Sequence, residues 1–130
     1  MKVGVPKERR EGESRVAVSP DTIKKLIALG FDVTVETGAG EQASFSDTLL
    51  SDAGATIADS AAAALGDADL VLKVRAPMSA ADGQDEISQI NPGAMVVAHM
   101  SALSEPDGIK AMAVAGLTGF AMELMPRITR

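Results

Sequence analysis

The chain has 130 residues, enough for one domain that buries roughly two thirds of its unfolded surface. Its net charge of −6, with three Phe and no Trp or Tyr, argues against nucleic acid and anionic membrane surfaces as partners. The absence of cysteine excludes disulfides and thiolate metal sites, and no apolar stretch approaches the roughly 20 residues that span a bilayer, so we expect no direct membrane insertion.

The first half of the chain alternates strand and helix patterns. Lys2–Val5 is predicted to be a short strand, and the charged segment Lys7–Arg15 lacks periodicity and is predicted to be a loop. Ser19 and Pro20 supply the hydroxyl cap and the first-position proline of a helix, which is expected to end at Gly30. We then predict, in order, a strand over 31–36, a helix over 47–54, a strand over 55–57 and a helix over 59–66.

The second half repeats the alternation around more apolar strands. In order, we predict a strand over 69–74, a loop with a short helix over 79–90, a strand over 94–98, a helix over 105–116 and a strand over 117–122. Continuous apolar strands indicate that both faces of a sheet are covered, so the predicted fold is a doubly wound parallel α/β/α sheet. Right-handed crossovers would bring loops 7–15, 75–83 and 99–104 to one carboxyl edge, where ligands bind in such sheets.

Lys73 stands near the downstream end of the most apolar predicted strand. A buried ammonium group is costly unless it meets an anion or a cleft. Alternation along the strand predicts that Lys73 and Arg75 share one face, where the pair would hold a carboxylate. The alternative is a lysine that extends its ammonium group into solvent at the strand end.

His99 is the single histidine and follows the strand over 94–98. An imidazole at a strand end is a candidate proton carrier, and the alternative is a hydrogen-bonded core histidine. We expect Arg15, Lys73 and His99 to meet at one rim of the sheet, where two cations would grip a small carboxylate and the imidazole would move a proton.

The arginines of the loop 7–15 have different expected roles. Arg15 precedes an apolar segment and is a candidate binder of a carboxylate or phosphate through two parallel hydrogen bonds. The alternative is a surface salt-bridge cluster, since the loop also contains three glutamates. Arg9 and Arg10 are expected to face solvent.

Glycine motifs give little support for a nucleotide site within these residues. Gly38 and Gly40 follow a predicted strand, but their spacing is not GxGxxG and we interpret them as a turn. The chain contains no Walker sequence, HExxH or GxSxG motif.

Three segments taken together resemble the N-terminal region of the alanine dehydrogenase/pyridine nucleotide transhydrogenase family. They are Val5–Ala17, Leu72–Met78 with His99, and Ala121–Arg130. The last segment is most similar to the branch formed by the NAD-binding alpha subunits of proton-translocating NAD(P) transhydrogenases. The resemblance implies a flavodoxin-like domain over 1–130, interrupted in the family by a Rossmann domain that carries the dinucleotide fingerprint. Because that domain is absent here, we expect a fragment with an incomplete sheet covering, little NAD affinity, no turnover and a tendency to self-associate.

The resemblance implies different residue roles in its two branches. In the dehydrogenase branch Arg15 and Lys73 would bind an oxo-acid and His99 would be the acid/base. In the transhydrogenase branch hydride passes between NAD(H) and NADP(H), so these three residues need not keep that role, and Arg127 would contact the nucleotide.

Three hypotheses therefore remain after the sequence. The first is the leading portion of a transhydrogenase alpha subunit, which implies NAD as cofactor, NADP(H)-binding and membrane components as partners, a homodimer, and a cytoplasmic location peripheral to the inner membrane. The second is the substrate domain of an alanine dehydrogenase. The third is a non-catalytic structural or assembly module.

Overall fold

Within residues 1–126, which the computed structural model describes, six parallel strands form one open sheet. The strands are β1 (Lys2–Val5), β2 (Asp32–Glu36), β3 (Thr56–Ala58), β4 (Leu70–Arg75), β5 (Met95–His99) and β6 (Thr118–Ala121). The α-helices are α1 (Pro20–Ala28), α2 (Asp47–Asp52), α3 (Ala61–Leu65) and α4 (Pro106–Val114). Single 3₁₀ turns cover Glu41–Ala43, Ala80–Asp82, Ile87–Gln89 and Met122–Leu124.

The strand order is β3-β2-β1-β4-β5-β6, and every neighbouring pair is parallel. This confirms the predicted doubly wound parallel α/β fold. The order reverses between β1 and β4, and in such sheets a crevice opens beyond the carboxyl ends of the strands at the reversal. The loops that follow β1, β4 and β5 therefore meet at one edge.

Both faces of the sheet are packed. Along β4, Val71 belongs to an apolar cluster that also contains Val96 and Met112. Its neighbours Leu70 and Leu72 pack against a second cluster. Because successive residues of a strand point to opposite faces, the two clusters lie on opposite sides of the sheet, as the continuous apolar strands predict.

Serine caps fix the beginnings of the first three helices. Ser19, Ser46 and Ser60 each accept a hydrogen bond from the backbone N–H three residues later. The short helix predicted within 79–90 is wrong in kind: the segment contains two separate 3₁₀ turns. Among the described residues, no helix combines the length and apolar character that crossing a membrane requires.

Gly4 is the position where the sheet tolerates no side chain. A Cβ added there would overlap the carbonyl oxygen of Ala64 and lie 2.9 Å from the Cβ of Ala68. The segment at the end of α3 therefore packs directly against the backbone of β1.

We predict that Gly4→Ala destabilises the protein by about 1–3 kcal/mol, because backbone rather than a flexible side chain must move. The control is Gly108→Ala in α4, where the added methyl group meets open space and helix propensity favours alanine by up to about 1 kcal/mol. Urea unfolding of both variants measures the difference. Equal stability of Gly4→Ala and the unsubstituted chain would contradict this packing.

Candidate functional site

An open cleft of about 370 Å³ lies at the carboxyl edge of the sheet, where the loops after β1, β4 and β5 meet. Glu13 and Arg15 reach it from the first loop, Arg75 from the end of β4, and His99 and Ser101 from the end of β5. The structure thus brings Arg15 and His99 together at the predicted rim. Lys73 does not line this cleft.

Arg15 is held by a carboxylate of its own loop. Its Nε and Nη2 each donate to Glu13 at 2.8 Å, to Oε2 and Oε1 respectively, while its side chain remains 70% exposed. The side-chain hydrogen bonds from Arg15 lower the pKa of Glu13 to about 2, and the same contacts raise the pKa of Arg15. An incoming anion therefore competes with Glu13 for the guanidinium fork.

Lys73 is part of a buried ion network. Its side chain is 1% exposed, and its Nζ lies 3.3 Å from Glu8 Oε1 and 3.3 Å from Glu86 Oε2. The side chain does not extend into solvent, so that alternative is wrong. The anions that a buried ammonium requires are supplied by the chain itself.

Glu8 and Glu86 are also fixed by backbone donors. Glu8 accepts from the N–H groups of Val74 and Arg75, and Glu86 accepts from the N–H of Met78 at 2.8 Å. Sequence reasoning missed both glutamates. The cost of burying an ammonium group was the available signal, because it calls for a carboxylate nearby.

A bulge in β4 separates Lys73 from Arg75. Leu72 lies opposite Val97, but Arg75 lies opposite His99, so three steps along β4 match two along β5. Simple alternation therefore does not continue through this segment. Arg75 lines the cleft while Lys73 is buried, and the two cations do not share a cavity as expected.

His99 is exposed at the cleft rather than buried in the core. Its side chain is 55% exposed, and its Nδ1 lies 3.9 Å from Glu123 Oε1. The alternative of a core histidine is therefore wrong. An exposed imidazole at the cleft is accessible to a ligand, which a proton carrier requires.

Glu123 organises the loop that follows His99. Its carboxylate accepts from the N–H groups of Met100 and Ala102, both at 2.9 Å, and these hydrogen bonds lower its pKa. Between them, Ser101 has a φ of +51°, a left-handed conformation that is unusual for a residue other than glycine. Glu123 thus fixes the cleft wall from the 3₁₀ turn after β6.

Two arginines expected in solvent are instead tied to the fold. Arg9 is ion-paired with Glu36, and Arg10 donates from Nη2 to the carbonyl oxygen of Ala76 at 2.9 Å. Burial alone would raise the pKa of Glu36, but the hydrogen bonds from Arg9 and from the Lys7 N–H lower it. These contacts hold loop 7–15 against β2 and the segment after β4.

Two further features lie outside this cleft. An apolar groove of about 500 Å³ runs between α4, β6 and the 3₁₀ turn at Met122–Leu124. Gly38 and Gly40 form a turn as interpreted, and the N–H of Gly38 donates to Asp47. Arg127, implicated by resemblance, lies outside the described residues.

We predict that Lys73→Met destabilises the chain by about 3–5 kcal/mol, because it leaves two buried carboxylates without their cation. The matched control is Arg15→Met, which removes an exposed cation of a surface pair and is expected to change stability little. Urea unfolding measures both. A Lys73→Met variant as stable as Arg15→Met would contradict a structural role for the buried network.

Comparison with known proteins places these features in a family. The family model described as "Alanine dehydrogenase/PNT, N-terminal domain" matches residues 4–130. Over all of its 130 residues the chain is 52% identical to a separately encoded segment of NAD(P) transhydrogenase subunit alpha of Rhodospirillum rubrum, covering 34% of that protein. It is 34% identical over 123 residues to alanine dehydrogenase of Halomonas elongata, covering 95% of this chain and 32% of that protein.

Solved structures agree with these matches. A transhydrogenase from Sinorhizobium meliloti superposes with a TM-score of 0.91 at 46% identity, covering 99% of this chain and 37% of that one. An L-alanine dehydrogenase superposes with a TM-score of 0.84 at 30% identity, covering 93% of this chain and 32% of that one. The chain spans about a third of the length of the curated relatives it matches. With a matching family model along nearly its whole length, this chain belongs to the alanine dehydrogenase/PNT family, whose N-terminal domain it matches.

Proposed function

We propose that the chain is the N-terminal portion of the NAD(H)-binding component of a proton-translocating NAD(P) transhydrogenase, which passes hydride between NAD(H) and NADP(H). The observation that carries the proposal is the 52% identity to a transhydrogenase alpha subunit along the entire chain. Identity to the alanine dehydrogenase of Halomonas elongata is 34%.

The charge pairing at the cleft supports the same choice. Arg15 is bound by Glu13, and Lys73 is shared by Glu8 and Glu86. The two cations that would hold an oxo-acid are therefore already occupied by carboxylates. Hydride transfer between two nucleotides requires no oxo-acid site, so this pairing is compatible with transhydrogenation.

The described residues do not fit a bound dinucleotide. The chain has no GxGxxG sequence, and the loop after β1 at the sheet reversal carries the carboxylates of Glu8 and Glu13, which would repel a pyrophosphate. In the proposal NAD, which supplies or accepts the hydride when bound, is held mainly by a separate Rossmann domain. Arg127 is proposed to contact it from this chain.

The proposal extends to assembly and location. The relatives named as subunits support NADP(H)-binding and membrane components as partners. A homodimer located in the cytoplasm, at the inner membrane through those partners, belongs to the same proposal.

Alanine dehydrogenase is the second candidate, and the meeting of Arg15 and His99 in one cleft favours it. There Arg15 and Lys73 would bind the oxo-acid and His99 would be the acid/base. This role requires Lys73 to turn from Glu8 and Glu86 toward the ligand. A structural module is the third candidate, and the exposed apolar groove beside β6 favours it.

We predict that the full-length protein, assembled with its partner components, reduces an NADP analogue at the expense of NADH. Without an oxo-acid site, it should not oxidise NADH when pyruvate and ammonium are supplied. Spectrophotometric assays of both reactions measure this. Pyruvate- and ammonium-dependent oxidation that is lost in His99→Ala would overturn the proposal and establish the second candidate.

We predict that residues 1–130 alone have no turnover and bind NAD weakly, because they lack a phosphate-binding glycine loop. Titration calorimetry with NAD measures the affinity, and the full-length protein is the positive control. Micromolar NAD binding by the 130-residue chain would contradict this prediction.

A further inference from the structure

The guanidinium of Arg75 differs from those of the other described arginines. Arg9 pairs with Glu36, Arg10 donates to a carbonyl oxygen, and Arg15 pairs with Glu13. The Arg75 side chain has no ion pair or hydrogen bond to any of residues 1–126, although it is half-buried and lines the cleft. A half-buried guanidinium of this kind is a ready partner for an oxyanion.

The second arginine of the cleft is already matched to a carboxylate. Glu13 binds the fork of Arg15 through two parallel hydrogen bonds of 2.8 Å. Because the pKa of Glu13 is lowered to about 2, its carboxylate stays charged at neutral pH and continues to occupy the fork. Glu13 therefore cancels one of the two arginine charges in the cleft.

We propose that Arg75 is the anion-contacting group of the cleft and that Glu13, by occupying the fork of Arg15, limits the cleft to small oxyanions of one negative charge. The hydroxyl of Ser101 and the imidazole of His99 line the same cavity and provide further hydrogen-bonding groups. The proposal goes beyond hydride transfer and holds whichever nicotinamide-dependent reaction the full-length protein performs.

Other nearby carboxylates do not change this balance at the cleft surface. Glu123 is committed to the N–H groups of Met100 and Ala102, and it is not part of the cleft lining. Glu8 faces Lys73 and the backbone of β4. Only Glu13 presents a carboxylate among the lining residues, so its removal is the sharpest change to the charge of the cleft.

His99 provides a direct test, because the chain has no other histidine and its imidazole signal in a proton NMR spectrum needs no further assignment. The 130-residue chain is titrated with sodium acetate and, separately, with sodium phosphate, at fixed pH and with sodium chloride holding the ionic strength constant. Acetate should shift the His99 signal saturably and bind more tightly than phosphate.

Two variants assign the roles. Arg75→Gln should weaken acetate binding by roughly tenfold or more, since it removes a charge-assisted pair of hydrogen bonds. Glu13→Gln should strengthen phosphate binding by roughly tenfold, since it releases the fork of Arg15. The control is Lys24→Gln, which removes an equal charge from the exposed part of α1 and should leave both affinities unchanged.

Several outcomes would overturn the proposal. A shift that stays linear and is equalled by chloride alone would mean that the cleft has no oxyanion site. Unchanged acetate affinity in Arg75→Gln would remove Arg75 from the site, and unchanged phosphate affinity in Glu13→Gln would remove the charge limit. Circular dichroism checks that each variant is folded, and Arg75→Lys, which retains the charge but loses the fork, should show an intermediate affinity if Arg75→Gln does not fold.

Discussion

The buried contact between Lys73 and the carboxylates of Glu8 and Glu86 is the constraint on which the candidate site depends. Removing an ammonium group from water is unfavourable unless opposite charges and hydrogen bonds compensate it. Here the compensation comes from two segments remote in sequence, the loop after β1 and the segment before the 3₁₀ turn at Ile87–Gln89. The network therefore joins three pieces of chain at the carboxyl edge of the sheet.

This network also determines which cation faces the cleft. The carboxylate of Glu8 accepts from the N–H groups of Val74 and Arg75, at the bulge where β4 shifts register against β5. The backbone is thereby fixed where Arg75 leaves the strand and enters the cleft. Lys73 stabilises the edge, Arg15 is bound by Glu13, and Arg75 is left to meet a ligand.

The pattern of the sequence was sufficient for the fold and for the location of the site. Apolar strands ending near Lys73 and His99, with serine-capped helices between them, predicted the parallel sheet, and the structure places each strand within one residue of its predicted ends. Period-two alternation predicts local geometry only where no bulge intervenes. For that reason the sequence did not separate Arg75 from Lys73.

Partners distant in sequence were harder to predict. Glu86 lies in a segment without helical or strand periodicity, so no local pattern placed it 3.3 Å from Lys73. Likewise, the charged loop 7–15 looked solvated, although Arg9 and Glu8 are both tied to the sheet. The resemblance to known proteins identified the family, but it did not indicate which cations were already paired.

The stability of a charge-free version of the network tests the central claim most directly. In the triple variant Glu8→Gln, Lys73→Met and Glu86→Gln, the amide oxygens can still accept the backbone hydrogen bonds and no buried charge remains unpaired. If charge compensation holds this edge together, urea unfolding should show that the triple variant recovers most of the stability lost in Lys73→Met alone. A triple variant as unstable as the single one would contradict the account.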